Sequence, residues 1–220
     1  MNKSPLNKHY VAARLSFAKK YMCWKTEWQN VIFSDEKKFN LDGPDGFKYY
    51  FHDLRKEPRV LSRHHSTLGS VMVWGAISYY GTVDLIVVDG RQNAGKYLNL
   101  LKETKSKIKK VMGRKKIIFQ HDNAPIHTSA IVTKWFKENQ IELLDWPSLS
   151  PDLNIIENAW GWLSRQVYND GKQYSNKEEL IQAIYTAWNS VDINYIHSLY
   201  ESLPNRIYEL IRSNGKYTKY

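Results

Sequence analysis

The chain has 220 residues, 42% of them apolar and 25% charged, enough to bury a sizeable core and too mixed for a collagen-like, low-complexity or disordered polymer. No run of 18 apolar residues could cross a membrane as a helix, no apolar leader opens the sequence, and the lone Cys23 excludes an intrachain disulfide or a cysteine zinc cluster, which fits a cytosolic or nuclear compartment. Lys and Arg number 32 against 22 Asp and Glu, and the resulting net charge of +10 favours a polyanionic partner, nucleic acid above all.

Residues 5–23 have helical spacing, with Val11, Leu15, Ala18 and Met22 along one face and Phe17 and Tyr21 at its flank. Val31-Ile32-Phe33-Ser34 reads as a short buried strand that delivers Asp35 at its end. Residues 40–68 are rich in Gly, Pro, Asp, His and Arg and read as a long loop, with room for a strand at 47–51. Connections of that length in a compact domain usually have a function. Val71–Ile77 and Val83–Val88 flank the turn signal Tyr79-Tyr80-Gly81 and predict a hairpin. A helix over 93–112 follows, then a strand around Ile117-Ile118-Phe119 that ends at Asp122. A helix at 128–139 and a short strand at 141–144 come next.

In Trp146-Pro147-Ser148-Leu149-Ser150-Pro151-Asp152, Ser150 suits an N-cap and Pro151 the first helical position. The helix so predicted runs to Tyr168 with a core stripe of Leu153, Ile156, Trp160, Leu163 and Val167, and Glu157 at its flank. Residues 176–213 read as two or three helices broken at Val191-Asp192 and near Pro204, and 214–220 as a frayed tail. This order of helices and strands predicts an α/β fold with a mixed sheet.

Three acids stand out. Asp35 and Asp122 each end an apolar strand, and Glu157 lies in the early turns of a helix. Taken singly, each is an ordinary strand-end or capping residue. Brought together they would repel one another unless a cation neutralised them. Oxygen ligands of this kind suit Mg²⁺ or Mn²⁺, and two such ions can clamp the attacking and leaving oxygens of a phosphoryl transfer. A basic surface would suit a phosphodiester substrate.

With these residues in view, the sequence resembles the catalytic domain of Tc1/mariner-type transposases, in the DDE superfamily with an RNase H-like fold. The resemblance lies in Phe33-Ser34-Asp35-Glu36-Lys37-Lys38-Phe39, Val73-Trp74-Gly75-Ala76, Gln120-His121-Asp122-Asn123-Ala124-Pro125-Ile126-His127 and the stretch from Trp146 to Trp160, four blocks in order. The 34 residues between Asp122 and Glu157, with glutamate third, match the Tc1-like branch, and residues 89–94 match its Tc3-like end. The resemblance covers about residues 7–213. It implies residues 1–30 as a linker and first helix, 31–213 as the catalytic domain, and 40–68 as a clamp-like loop. It further implies Asp35, Asp122 and Glu157 as catalytic ligands of two Mg²⁺ or Mn²⁺ ions. The implied reaction is hydrolysis at transposon ends followed by transfer of the 3′-OH into target DNA at TA sites.

The implied partners are transposon-end DNA, target DNA and a second copy of the chain, in the nucleus. Family members carry N-terminal helix-turn-helix domains. This sequence begins just before the catalytic region, so it reads as a fragment whose specific end recognition should be absent or weak. DNA contacts are expected from Lys37, Lys38, Asn123, His127, Asn154 and Asn158, and from Arg55 and Arg63 in the long loop. The loop's Lys56 and Arg59 could serve there too. Trp74 and Trp160 are expected in the core rather than as stacking platforms. Two competing readings are an RNase H-like nuclease without strand transfer and a non-catalytic domesticated DNA-binding protein. The spacing of the acids weighs against the first, and the intact acids against the second. A paired-carboxylate glycosidase fits neither the charge nor the third acid.

Overall fold

Strands β1 (Val31–Asn40), β2 (Ser70–Ser78), β3 (Gly81–Val87), β4 (Ile118–Gln120) and β5 (Glu142–Leu143) form one sheet in the order β3-β2-β1-β4-β5. The computed structural model describes residues 5–44 and 69–220. β2 and β3 form the expected antiparallel hairpin, and Gly81 at its turn takes a φ of 132° that a side chain would disfavour. β1 pairs antiparallel with β2 and parallel with β4, and β4 parallel with β5. The two parallel steps need crossover helices, supplied by α2 (Ala94–Met112) and α3 (Ala130–Glu138). Asn93 caps α2 by accepting from the Lys96 amide, so this helix starts where the sequence predicts.

β1 is longer than expected. It does not stop at Asp35 but continues to Asn40, because β2 pairs with it down to Asn40↔Ser70. Asp35 is therefore mid-strand, opposite Gly75.

Both faces of the sheet are covered, which is why the central strands are nearly continuous apolar runs. On one face Ile32, Trp74 and Phe119 pack with Tyr97, Leu101 and Ile108 of α2 and Val132 and Phe136 of α3. On the other, Phe33, Val73 and Ile77 pack with α1 (Lys8–Tyr21), α4 (Ile156–Val167), α5 (Lys177–Asn189), α6 (Ile193–Glu201) and α7 (Leu203–Arg212). Trp74 and Trp160 are both core residues, as expected.

Three local expectations are corrected. In α1 the buried face holds Arg14, Phe17, Ala18 and Tyr21, whereas Met22 is exposed. The reason is tertiary: the Arg14 guanidinium is drawn inside by Asp152, at 2.7 Å. Ser150 does not cap a helix, because its Oγ accepts from Arg14, and α4 begins only at Ile156. The intervening turn is held by Leu153 N donating to Ser150 O and Asn154 N to Pro151 O. Residues 214–220 are not frayed. Gly215 O accepts from Arg14 Nε, and the Thr218 amide and hydroxyl both donate to Asp152 Oδ2. The 176–213 stretch is three helices, with the breaks near Val191-Asp192 and just before Pro204 as read.

Candidate active site

The parallel register of β1 and β4 builds the site. Phe33 pairs with Gln120, the last residue of β4. Asp35 follows two residues on within β1 and Asp122 two residues past the end of β4, a correction to the strand-end position expected of both, and the two line one cavity. Ser34 then ties all three acid-bearing segments together. Its Oγ donates to Gln120 O at 2.8 Å, its amide donates to Gln120 Oε1, and its carbonyl accepts from Asn154 Nδ2 at 3.3 Å. Asn154 lies at the approach to α4, which carries Glu157 in its first turn. Asp35, Asp122 and Glu157 accordingly line one open cavity of about 360 Å³, together with Gln120, Asn123 and the loop Trp146–Pro151.

Each acid has its own environment. Asp35 is pushed well above the ordinary carboxylate range, first by burial and then by the charges of Glu157 and Glu36, while its Oδ2 accepts from Trp160 Nε1 at 3.2 Å. Glu157 is raised by burial, against the opposing charge of Lys37. Asp122 goes the other way. The hydrogen bond from His127 Nδ1, at 2.6 Å, holds its pKa down, helped by the Ala124 amide at 2.9 Å. His127 is buried, its ring lying 4.1 Å from that of Tyr97 and stacked at 5.3 Å on that of His121. Burial opposes a charged His127 ring, but Asp122 and Glu36 outweigh it and lift the pKa to about 9. Glu36 Oε1 stands 3.4 Å from Nε2, long for a hydrogen bond, so that part of the effect is mainly Coulombic. His121 is pushed down to about 4 by burial and by His127, so its Nδ1 is free to accept from the Tyr97 hydroxyl at 3.1 Å.

A pH dependence follows. His127 binds its proton more tightly in the folded chain than its ordinary value of 6.5 allows. Its contribution to stability is complete below pH 6.5 and is lost as pH rises from there through about 9, up to about 3 kcal/mol. The raised Asp35 and Glu157 act in the same direction at lower pH. Thermal melts are expected to show a lower Tm at pH 9 than at pH 6.5, with a smaller difference in His127→Asn; an equal difference in both chains would refute the assignment.

Comparison with known proteins gives the frame for these residues. Residues 30–181 match the family model for DDE superfamily endonucleases. The chain belongs to this family. Within it the chain is 47% identical to the Tc3 transposase of Caenorhabditis elegans over 207 residues, 94% of this chain and 62% of that protein. It is 34% identical to the C. elegans Tc1 transposase over 229 residues, 99% of this chain and 82% of the relative. The fold matches the Mos1 mariner transposase in a paired-end complex with Mg, at a TM-score of 0.85 and 19% identity, over all of this chain and 66% of that one. It also matches the Mos1 catalytic domain at 0.77 and 18% identity, over the full length of both chains. The DDE domain thus spans 62% of the length of its Tc3 relative and has the RNase H-like mixed sheet expected of it.

The DNA contacts expected of this DDE domain fare unevenly. Lys38 is exposed and Lys37 half-buried beside Glu157. Asn123 lines the cavity, but its Nδ2 donates to Trp146 O and Ser148 Oγ, so it braces the facing loop. His127 is buried behind Asp122 rather than offered to DNA. Asn154 is buried with its amide on Ser34, and half-buried Asn158 accepts from Arg206 Nη2. Arg55, Arg63 and the strand read at 47–51 lie outside the described residues.

Sequence reasoning missed Ser34 and Trp160 as neighbours of the acids. The signal for Trp160 is Gly75: a Cβ there would stand 2.5 Å from Trp160 Cη2. Gly75→Ala is expected to destabilise the DDE domain by about 1–3 kcal/mol in chemical denaturation, since neither the strand nor the buried indole can yield easily. A change below about 0.5 kcal/mol would show that Trp160 moves freely.

Proposed function

We propose that this domain cuts phosphodiester bonds at the ends of a transposable element and joins the freed 3′-OH to target DNA at TA sites. In this reading Asp35, Asp122 and Glu157 are ligands for two Mg²⁺ or Mn²⁺ ions. The observation that carries the reading is the convergence of the three carboxylates on one cavity. The donor set fits hard divalent ions: all its ligand atoms are carboxylate oxygens, and Asp35 is raised by burial first and then by the neighbouring charges of Glu157 and Glu36. Among the described residues no three His, Cys, Asp or Glu side chains close on a single point. An ion here would take further ligands from water and from phosphate oxygens, the usual arrangement for Mg²⁺.

When bound, such ions neutralise phosphate charge and activate the attacking oxygen. The chain's own residues supply the geometry. His127 and the Ala124 amide fix Oδ1 of Asp122, a residue that lines the cavity. Trp160 orients Asp35, and Ser34 keeps the three segments in register. Lys37 lies beside Glu157, where a phosphate would also gain from its charge.

Solved Mos1 complexes with paired transposon ends, with Mn and in a strand-transfer state support DNA ends, target DNA, a second copy of the chain and a divalent ion as partners here too. If the host is a eukaryote, as the family implies, a chromosomal substrate would place its action in the nucleus.

The test is Mn²⁺ binding by calorimetry, expected to weaken by about tenfold or more in Asp35→Asn, Asp122→Asn and Glu157→Gln alike. Binding indifferent to all three substitutions would remove the site. Joining of a labelled 3′-OH oligonucleotide into plasmid DNA separates strand transfer from simple nuclease action.

A further inference from the structure

The positive charge of the chain is concentrated in one place. Residues 91–116 hold ten Lys and Arg against one acid, Glu103, a net of +9 where the whole chain carries +10. This stretch is α2 and its flanks. The buried residues of α2 are Tyr97, Leu100, Leu101, Thr104, Ile108 and Met112, so Lys102, Lys109 and Lys110 stand exposed away from the sheet and Lys105 half-buried at the edge of that face. Some are engaged: Lys107 with Asp84 at 2.6 Å, Lys116 with Glu142 at 2.6 Å, and Lys115 over the Tyr80 ring. Lys102, Lys105, Lys109 and Lys110 have no acidic partner among the described residues.

Lys102, Lys105 and Lys109 follow one another at i, i+3 and i+7, which makes a single ridge. Like charges at these spacings destabilise an isolated helix. A folded surface that needed them only for solubility would gain by mixing in acids. The ridge is about 10 Å long, over which duplex DNA presents roughly six phosphates. Its helix also starts behind the site. Tyr97, in the first turn, packs on His127 and bonds His121, and Lys105 follows about 12 Å further along the axis.

We infer that the outer face of α2, centred on Lys102, Lys105, Lys109 and Lys110, is a docking surface for the phosphate backbone of duplex DNA flanking the bond held in the cavity. The inference rests on the proposed function for the identity of its partner. The surface binds without reading sequence, because lysines on a convex helix face meet phosphates as point charges and reach no base edges.

The test is fluorescence anisotropy of the 220-residue chain with a labelled duplex in EDTA, across a series of salt concentrations. Replacing the four lysines by Gln, a good helix former, is expected to weaken binding tenfold or more at about 0.1 M salt. The slope of log K against log salt should fall by about 3–4. A control chain with Lys134, Lys137, Lys172 and Lys177 all changed to Gln has the same net charge and should stay within about twofold of wild type. Equal losses in both chains, no loss in the α2 chain, or no binding by wild type at about 50 mM salt would each overturn the inference. The proposed function fails separately. If Asp122→Asn cleaves DNA as wild type does, the site is wrong even where the α2 result stands.

Discussion

Asp122→Asn is expected to abolish metal-dependent DNA cleavage, with a loss on the order of 10³, while the protein stays folded. A loss of that size accompanies removal of one preorganised electrostatic partner from a site where charge develops. The fold should survive because asparagine is isosteric and keeps the acceptor that Asp122 Oδ1 offers to the Ala124 amide and to His127 Nδ1. What disappears is the negative charge. Plasmid nicking in Mn²⁺, read beside circular dichroism and duplex binding in EDTA, checks all three parts. Nicking at the wild-type rate would show that Asp122 is not a ligand. Loss of the folded spectrum would show that its charge pair with His127 is structural above all.

The largest effect on stability is expected at Arg14. Its guanidinium and the Asp152 side chain are fully buried, and its donors reach Asp152 at 2.7 and 2.8 Å, Ser150 Oγ at 2.7 Å, Leu149 O at 3.1 Å and Gly215 O at 3.0 Å. Arg14→Ala would strand a buried carboxylate, at a cost of about 3–5 kcal/mol. That corresponds to a fall in Tm of roughly 10 °C for a domain of this size. Arg14→Lys should recover little, since a point charge cannot serve a fork of this geometry. Asp152 is buried, yet Arg14 and Thr218 keep its pKa below the ordinary value. Its contribution to stability is therefore present above that value and lost as pH falls through the depressed one. A Tm change under about 2 °C in Arg14→Ala would mean that water replaces the guanidinium.

These two residues also show what the sequence could and could not say. Asp35 and Asp122 were readable because each follows an apolar run, and such runs mark buried strands whatever packs on them. The hairpin around Gly81 and the start of α2 at Asn93 were readable for a similar reason: turn and cap chemistry act over a few residues. Ser150 offered the same local signal and misled, because a buried arginine from 136 positions away took its hydroxyl. The face of α1 was misplaced by the same guanidinium, since an apolar periodicity gives no weight to a charged residue that finds a distant partner. His127, Asn154 and Asn158 are polar residues beside a catalytic motif, and polarity alone does not separate a side chain offered to DNA from one braced behind a ligand. The three-dimensional arrangement, with Ser34 at its centre, shows which partners they take within the chain.

The knot at Asp152 has a consequence for the order in which the protein comes into being. Arg14 is synthesised well before Asp152, and Thr218 after it. The wall formed by Leu149–Asp152 is anchored by both, so it cannot be completed before residue 218 has been made. A nascent chain that stops short of Thr218 would hold the three acids but lack the closure that fixes one side of their cavity.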